Sequence, residues 1–424
     1  MKKINNFINN NIYKIILIFL YIQPFLDIIA GISNHLSISL NISSIIRLIF
    51  MFFSIYYLIF IDKDKNKIKY LIIYTIYLIL YSIVTIINKD INVLVYEIKN
   101  SINIFYLPIV LLSIYSMFKN NNIKFKINHL VYIYLIYLIF IIIPLVTNTG
   151  FNSYEHSKVG NIGWYLSANA IGSILSLLLP LLLVYITNKK YNKILKVIIV
   201  LSIYIFFSIG TKVPVLSVLI LILINFLYFV IKWIKEKKYK HITIVSTIFI
   251  ILFSLSLIII PKTSFYKNLE IHKNFLGMNS YLEVFTNYEY IDHFIFSQRL
   301  TFLKNTHNNY MNSSLGEKLF GIGFIENYAT DNINTKTIEI DYFEIFYRSG
   351  IIGFTMFFML FIPTMIKCFK NIFKFNLLNI QYLTILILIL LLSFFQGHVL
   401  ITPAVSIYVA LFLNLILNNN LDIE

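Results

Sequence analysis

Apolar runs of about twenty residues recur along this chain with almost no charge inside them, and that pattern sets the fold class before any motif is read. Wound as a helix, such a run rises about 1.5 Å per residue and crosses the roughly 30 Å hydrocarbon core of a bilayer. Runs of this kind lie near 13–31, 43–61, 69–87, 101–118, 128–146, 166–187, 194–209, 213–232, 241–260, 341–366, 377–396 and 398–417. Lipid offers no partner to a free backbone N–H or C=O, so each run is expected to satisfy its own backbone as a helix. The expected fold is an all-α, polytopic membrane protein with about twelve transmembrane helices. Composition agrees: 58% of residues are hydrophobic and 13% charged, against about 25% charged in a soluble domain. Mean hydropathy is +0.79.

Charge then orients the spans. With the N-terminus inside, the inner connections and the termini carry 22 lysines, and the short outer connections carry four: Lys89, Lys99, Lys158 and Lys212. Lysine and arginine collect on the cytoplasmic side of membrane proteins, so both termini are expected there. The basic start and the lack of a small-residue cleavage site make the first run a retained span. The same rule accounts for the net charge of +16 and leaves no reason to invoke nucleic acid. The chain divides into spans one to nine (1–260), a large extracytoplasmic loop (261–340) and spans ten to twelve (341–424). Cys368 is the single cysteine, which excludes an intrachain disulfide or a CxxC metal site. Its expected place is the edge of a cytoplasmic loop.

No soluble-enzyme motif is present, and Gly321-Ile322-Gly323 is too short for a dinucleotide fingerprint. The informative residues are ionisable groups at membrane depth, which are costly there and mark function by default. Arg47, Lys212, Arg299 and Arg348 collect toward the outer face, with Glu339, Asp341 and Glu344 beside them. Guanidinium groups bind phosphate oxygens in pairs, and a carboxylate can take a proton from a hydroxyl. The set suits transfer of a sugar from a lipid diphosphate. Plainer readings stand beside it. Arg47 can snorkel to the surface, and Arg348 can pair with Glu344 at i,i+4. Asp341 can cap its helix, and Glu339 and Glu344 can be structural support. Lys212 and Arg299 can be ordinary loop cations, His398 a polar interface residue, and Gln23-Pro24-Phe25-Leu26-Asp27 a packed kink.

An ordered series of short motifs resembles the O-antigen ligase/polymerase family, in its Gram-positive branch. The pieces are Ser297-Gln298-Arg299, Leu319-Phe320-Gly321-Ile322-Gly323-Phe324, Glu339-Ile340-Asp341-Tyr342-Phe343 and Gly350-Ile351-Ile352-Gly353. Gln23-Pro24-Phe25-Leu26-Asp27, Gly163-Trp164-Tyr165 with Ser167-Ala168-Asn169, and Gly210-Thr211-Lys212 complete the series. The resemblance implies a fold similar to type-C glycosyltransferases and a polymerase or ligase for capsule, O-antigen-like or cell-wall polysaccharide. It implies an undecaprenyl-diphosphate-linked glycan as donor and a glycan or anchor as acceptor, with no metal and no cofactor. It also implies a flippase and a chain-length regulator of the same pathway as partners. Arg299 matches the family's loop arginine, Lys212 stands where many members have arginine, and Asp341 stands where the ligases have histidine. The site expected on this basis has Asp341 and Arg299 as catalytic residues. Arg299, Lys212, Arg348 and Arg47 hold the diphosphate, and Glu339 and Glu344 support them. Whether Asp341 or Glu339 is the base stays open. The alternative is a lipid-linked oligosaccharide flippase, against which the long outer loop and the absence of an internal repeat both count.

Overall fold

The computed structural model describes residues 2–38, 41–89, 91–154, 158–188, 193–325 and 338–423. Helices α1 (Lys2–His35), α2 (Ile42–Tyr56), α3 (Lys65–Asn88), α4 (Leu94–Asn120) and α5 (Ile127–Thr147) are followed by α6 (Ala168–Asn188), α7 (Lys193–Ile209), α8 (Lys212–Lys235) and α9 (Tyr239–Ile259). The long connection holds α10 (Ser264–Phe275), the single turn α11 (Tyr288–Tyr290), α12 (Arg299–Met311) and α13 (Leu315–Phe320). The chain then enters α14 (Asp341–Phe358), α15 (Ile362–Ile372), α16 (Leu377–Phe395) and α17 (Pro403–Asn418).

Among the described residues, eight helices are long and apolar enough to cross a membrane, and the bent pair α14–α15 makes a ninth. Val197–Ile209 and Pro403–Asn418 are shorter apolar helices. Packing sorts the helices by their surfaces. On α2 the side chains of Ile45, Ile49 and Phe52 point outward and are more than half exposed, as expected of a face against lipid. Helix α17 is buried on nearly every side and lies along α4 and α6. A helix apolar all round belongs in the centre of a bundle. At the end remote from the long connection, β1 (Phe125–Lys126) pairs in parallel with β2 (Leu421–Asp422), which ties the C-terminal residues to the turn before α5.

The tenth apolar run is not one straight helix. It bends by 46° between Phe358 and Ile362. Earlier in the run, Gly350 takes φ 67° and ψ −176°, outside helical geometry. A Cβ on Gly350 would stand 2.5 Å from the backbone of Leu319 and Gly321, so only glycine lets the long connection lie against this helix. The helix also runs past its expected end. Cys368, with Thr364 and Asn371, forms the buried face of α15 at i, i+4 and i+7 spacing. The cysteine is therefore enclosed in a helix and not at a loop edge.

One carboxylate ties the connection to the bundle. Glu97, in the first turn of α4, is fully buried. It accepts hydrogen bonds from the Tyr81 hydroxyl at 2.7 Å and Lys89 Nζ at 2.8 Å. It also accepts from the backbone N–H groups of Phe324 and Ile325, both at 2.8 Å. Lys89 donates in addition to the Ile322 carbonyl. Removing one partner of a buried charge pair strands the other and costs about 3–5 kcal/mol. Glu97→Ala is therefore expected to lower the unfolding temperature in detergent clearly and to open residues 319–325 to protease. A variant with unchanged protease resistance there would show that Glu97 does not hold the segment.

Candidate functional site

The site begins on α1. Pro24 sits inside this helix, where it removes a backbone donor. Gln23 and Asp27 flank it and meet Arg47 on α2. Arg47 Nε donates to Gln23 Oε1 at 3.0 Å, and Nη2 donates to Asp27 Oδ1 at 2.5 Å. The other Asp27 oxygen accepts from Tyr137 Oη at 3.0 Å, and Tyr137 is itself 3.3 Å from Tyr408 Oη. A guanidinium with 8% exposure is tolerable at this depth because its charge is paired and its donors are directed. Nη1 has no hydrogen-bond partner among the described residues. The network fixes Arg47 in the wall of a cavity of about 360 Å³, lined also by Tyr106, Tyr165, Leu48 and His398. That volume suits a small-ligand site. The Tyr106 hydroxyl is buried and makes no hydrogen bond among the described residues. Ser44 and Leu48 are exposed on α2, so the cavity reaches the outer surface of the bundle there.

A second cavity, of about 140 Å³, holds Arg348 and Glu344. Arg348 Nε donates to Glu344 Oε1 at 3.2 Å, and Nη1 donates to the Gly323 carbonyl at 2.8 Å. Glu344 is fully buried and also accepts from the Ile338 N–H at 2.7 Å. Asn103, His398 and Thr402 line both cavities, so the two adjoin, with His398 between the arginines.

The turn that carries His398 joins α16 to α17 and is built on Asp341. The Asp341 carboxylate, at the start of α14, accepts from the N–H groups of His398 at 2.7 Å, Val399 at 2.9 Å and Leu400 at 2.7 Å. It has no exposed surface. Glu339 approaches from the other side. A Cβ on Gly397 would stand 2.4 Å from the Glu339 carbonyl, so the two backbones are in contact there. Both His398 and Glu339 take left-handed conformations, with φ of 59° and 56°. Such residues persist only where surrounding bonds over-determine them, at about 1–3 kcal/mol each, and they cluster at functional sites.

The side chains of these two strained residues face each other, with His398 Nε2 3.8 Å from Glu339 Oε1. Arg299 holds the carboxylate from behind, its Nε and Nη2 donating to Glu339 Oε2 at 3.2 and 2.7 Å. Arg299 Nη1 anchors to the Phe395 carbonyl at 2.7 Å. Burial alone would raise the pKa of Glu339, but the facing His398 ring and the Arg299 donors outweigh it and bring the value to about 2. For His398 burial favours the neutral ring, and the carboxylates of Glu339 and Asp341 reverse this, so its pKa lies above the ordinary value.

The fold therefore sorts the residues expected from sequence. Arg47 and Arg348 face adjoining cavities, and Arg299 with Glu339 bears on both through His398. Glu344 is the partner of Arg348. Asp341 has a different occupation from the expected base. Its oxygens accept from three backbone donors and have no exposed surface, so in this structure it anchors the turn. Lys212 lines neither cavity. Its ammonium donates to the Phe294 carbonyl and lies 4.7 Å from the Phe294 ring centre. The sequence favours a polar interface role for His398. Gln396-Gly397-His398 signals a turn before a span, and nothing in it signals a partner 59 residues upstream at Glu339. Among the described residues no cluster of three or more His, Cys, Asp or Glu side chains could hold a metal ion.

Comparison with known proteins adds one finding. The chain matches the family described as O-antigen ligase like membrane protein over residues 9–281 and 282–424. No curated protein matches the chain.

The pairing has a pH signature. The carboxylate of Glu339 is depressed from 4.5, so its contribution to stability is complete above about pH 4.5 and is lost as pH falls toward 2. The imidazole of His398 is raised from 6.5, so its contribution is complete below about pH 6.5 and is lost as pH rises through the folded-state value. The difference in unfolding temperature between wild type and Glu339→Gln is expected to be greatest near pH 5–6. It should shrink toward the share carried by Arg299 alone as pH rises through the folded-state value of His398. A difference that grows from pH 6 to pH 8 would contradict the pairing.

Proposed function

The chain belongs to the O-antigen ligase like membrane protein family, and from that premise we propose that it transfers glycan from undecaprenyl diphosphate at the outer face of the cytoplasmic membrane. In this reading the chain crosses the membrane twelve times with both termini inside, and the connection after α9 lies outside. The lipid-linked oligosaccharide is polymerised, or ligated to a glycan or anchor, to build capsule, O-antigen-like or cell-wall polysaccharide. A flippase delivers the donor and a chain-length regulator sets the product.

The observation that carries the reading is the Arg47 cavity. It combines a buried arginine with a free Nη1, the unpartnered Tyr106 hydroxyl, and an apolar wall that includes Leu48, Met51, Ile102 and Ile171 and reaches the lipid-facing side of α2. An anionic head group on a long apolar tail has this pair of requirements. The diphosphate binds Arg47 and the prenyl chain leaves along α2. Arg348, across the shared wall, carries the second positive charge, and Arg299 acts from behind Glu339. Lys212 fixes the outer connection near Phe294. Charge builds on the diphosphate as the glycosidic bond breaks, and fixed cations in a site with little water stabilise that change without reorganisation. A flippase would need its charges along a path through the bilayer, whereas here they gather at the end that bears the long connection.

The test is glycan length in cells lacking the protein, complemented at matched membrane levels. Wild type is expected to restore long polymer. Arg47→Ala should lower the rate of polymer formation on the order of a hundredfold, by analogy with loss of one transition-state donor, and leave single units on the carrier. Full-length polymer at the wild-type rate from Arg47→Ala would remove the diphosphate from this cavity. Units trapped on the cytoplasmic leaflet would replace the transferase by a flippase.

A further inference from the structure

We propose that His398 takes the proton from the acceptor hydroxyl and that Glu339, clamped by Arg299, is the residue that positions it. The assignment rests on the glycosyl-transfer reading above and deepens it by naming the base. Three independent features of the geometry converge on it.

First, His398 is the one titratable side chain lining both cavities. A donor held at Arg47 and an acceptor entering past Arg348 would meet beside it. Second, the fold commits several unusual contacts to its placement. The Asp341 carboxylate gathers the three N–H groups of the turn. Gly397 lets that turn press against the Glu339 backbone. His398 and Glu339 are both held in left-handed conformations. A polar residue that merely finished a helix would need none of these. Third, the imidazole faces a held carboxylate. Nε2 is turned toward Glu339 Oε1 at 3.8 Å, and the other Glu339 oxygen receives both Arg299 donors. Nδ1 makes no hydrogen bond among the described residues, and it is the nitrogen left for a substrate. The charged groups that face the ring are Glu339 on the segment before α14, Asp341 at the start of α14, and Arg299 on α12. The two carboxylates act against burial and against the arginine.

The step balances without a further reactant. The neutral imidazole accepts the hydroxyl proton on Nδ1. The freed electron pair on oxygen forms the bond to the anomeric carbon. The bond from that carbon to the phosphate oxygen breaks, and its electron pair leaves with the diphosphate at Arg47. Glu339 stays ionised throughout and stabilises the imidazolium until the proton is lost to water. Arg299 keeps the carboxylate from swinging away.

The test uses purified full-length protein in detergent. Its probe is the lipid-linked glycan extracted from cells that lack the protein. Initial rates are read from pH 5 to pH 9 for wild type, His398→Asn and Glu339→Gln, at matched unfolding temperature. Asparagine tolerates the left-handed backbone, so the first variant keeps the turn. Wild type should rise with pH through a midpoint above 6.5, the ordinary value for this side chain. His398→Asn should lose that rising limb and about 10²–10⁴ in rate. Glu339→Gln should keep a limb but move it to lower pH, because the charge that holds the proton on His398 is gone. If His398→Asn turns over within a few-fold of wild type, or shows the same rising limb, another group is the base and the proposal fails while the transferase reading stands. If the Glu339→Gln limb stays in place, the positioning role fails. If wild type leaves the lipid-linked glycan unconsumed, the transferase reading falls and takes this base with it.

Discussion

Three backbone N–H groups converge on a single carboxylate that water cannot reach, and the geometry of the whole loop end follows from that contact. Asp341 stands at the head of α14 and gathers the turn that enters α17. Backbone donors in a bilayer protein must find partners inside the protein, and a turn between two spans leaves several without any. A buried ionised carboxylate likewise needs donors around it. Each need meets the other, so the turn cannot drift along α14. His398 follows from that fixation, and so does its approach to Glu339.

The same logic is repeated a few ångströms away with different parts. Glu97 collects Phe324 and Ile325 from the long connection, and Glu344 collects Ile338. In each case a carboxylate on a bundle helix binds backbone N–H groups of an irregular segment. A lysine or arginine balances the charge, Lys89 for Glu97 and Arg348 for Glu344. Isolated buried charges would be expensive here, but charges that are paired and hydrogen-bonded become fasteners. The glycines of this region serve the same contacts. Gly321 and Gly350 lie backbone to backbone, so the connection packs on α14 at a distance that a side chain would forbid.

Arg47 differs from these fasteners. Its partners Gln23 and Asp27 hold it from one side, Tyr137 steadies the aspartate, and the remaining nitrogen faces a cavity. A cation held this way is already oriented before any ligand arrives, and it stabilises charge that develops later without first having to reorganise.

Much of this was legible in the residues alone. Hydropathy settled an all-helical membrane protein because bilayer thickness and the need to satisfy the backbone leave few alternatives. The ordered motifs pointed to the family that the match along the chain shows, and charges at membrane depth singled out Arg47 and Arg348, which the fold places at adjoining cavities. The sequence could not show which of those ions were partners. Arg348 with Glu344 was readable from i,i+4 spacing, but Arg299 with Glu339, Arg47 with Asp27 and Lys89 with Glu97 join different segments. The bend after Phe358 and the burial of Cys368 were hidden because a broken helix and a straight one share the same hydropathy. The role of Asp341 was open to two readings, since an acid that anchors a turn and an acid that accepts a proton are the same letter. Only the packed fold separates them, by placing three backbone donors on one carboxylate and leaving a histidine, 57 residues further along the chain, to face the cavities.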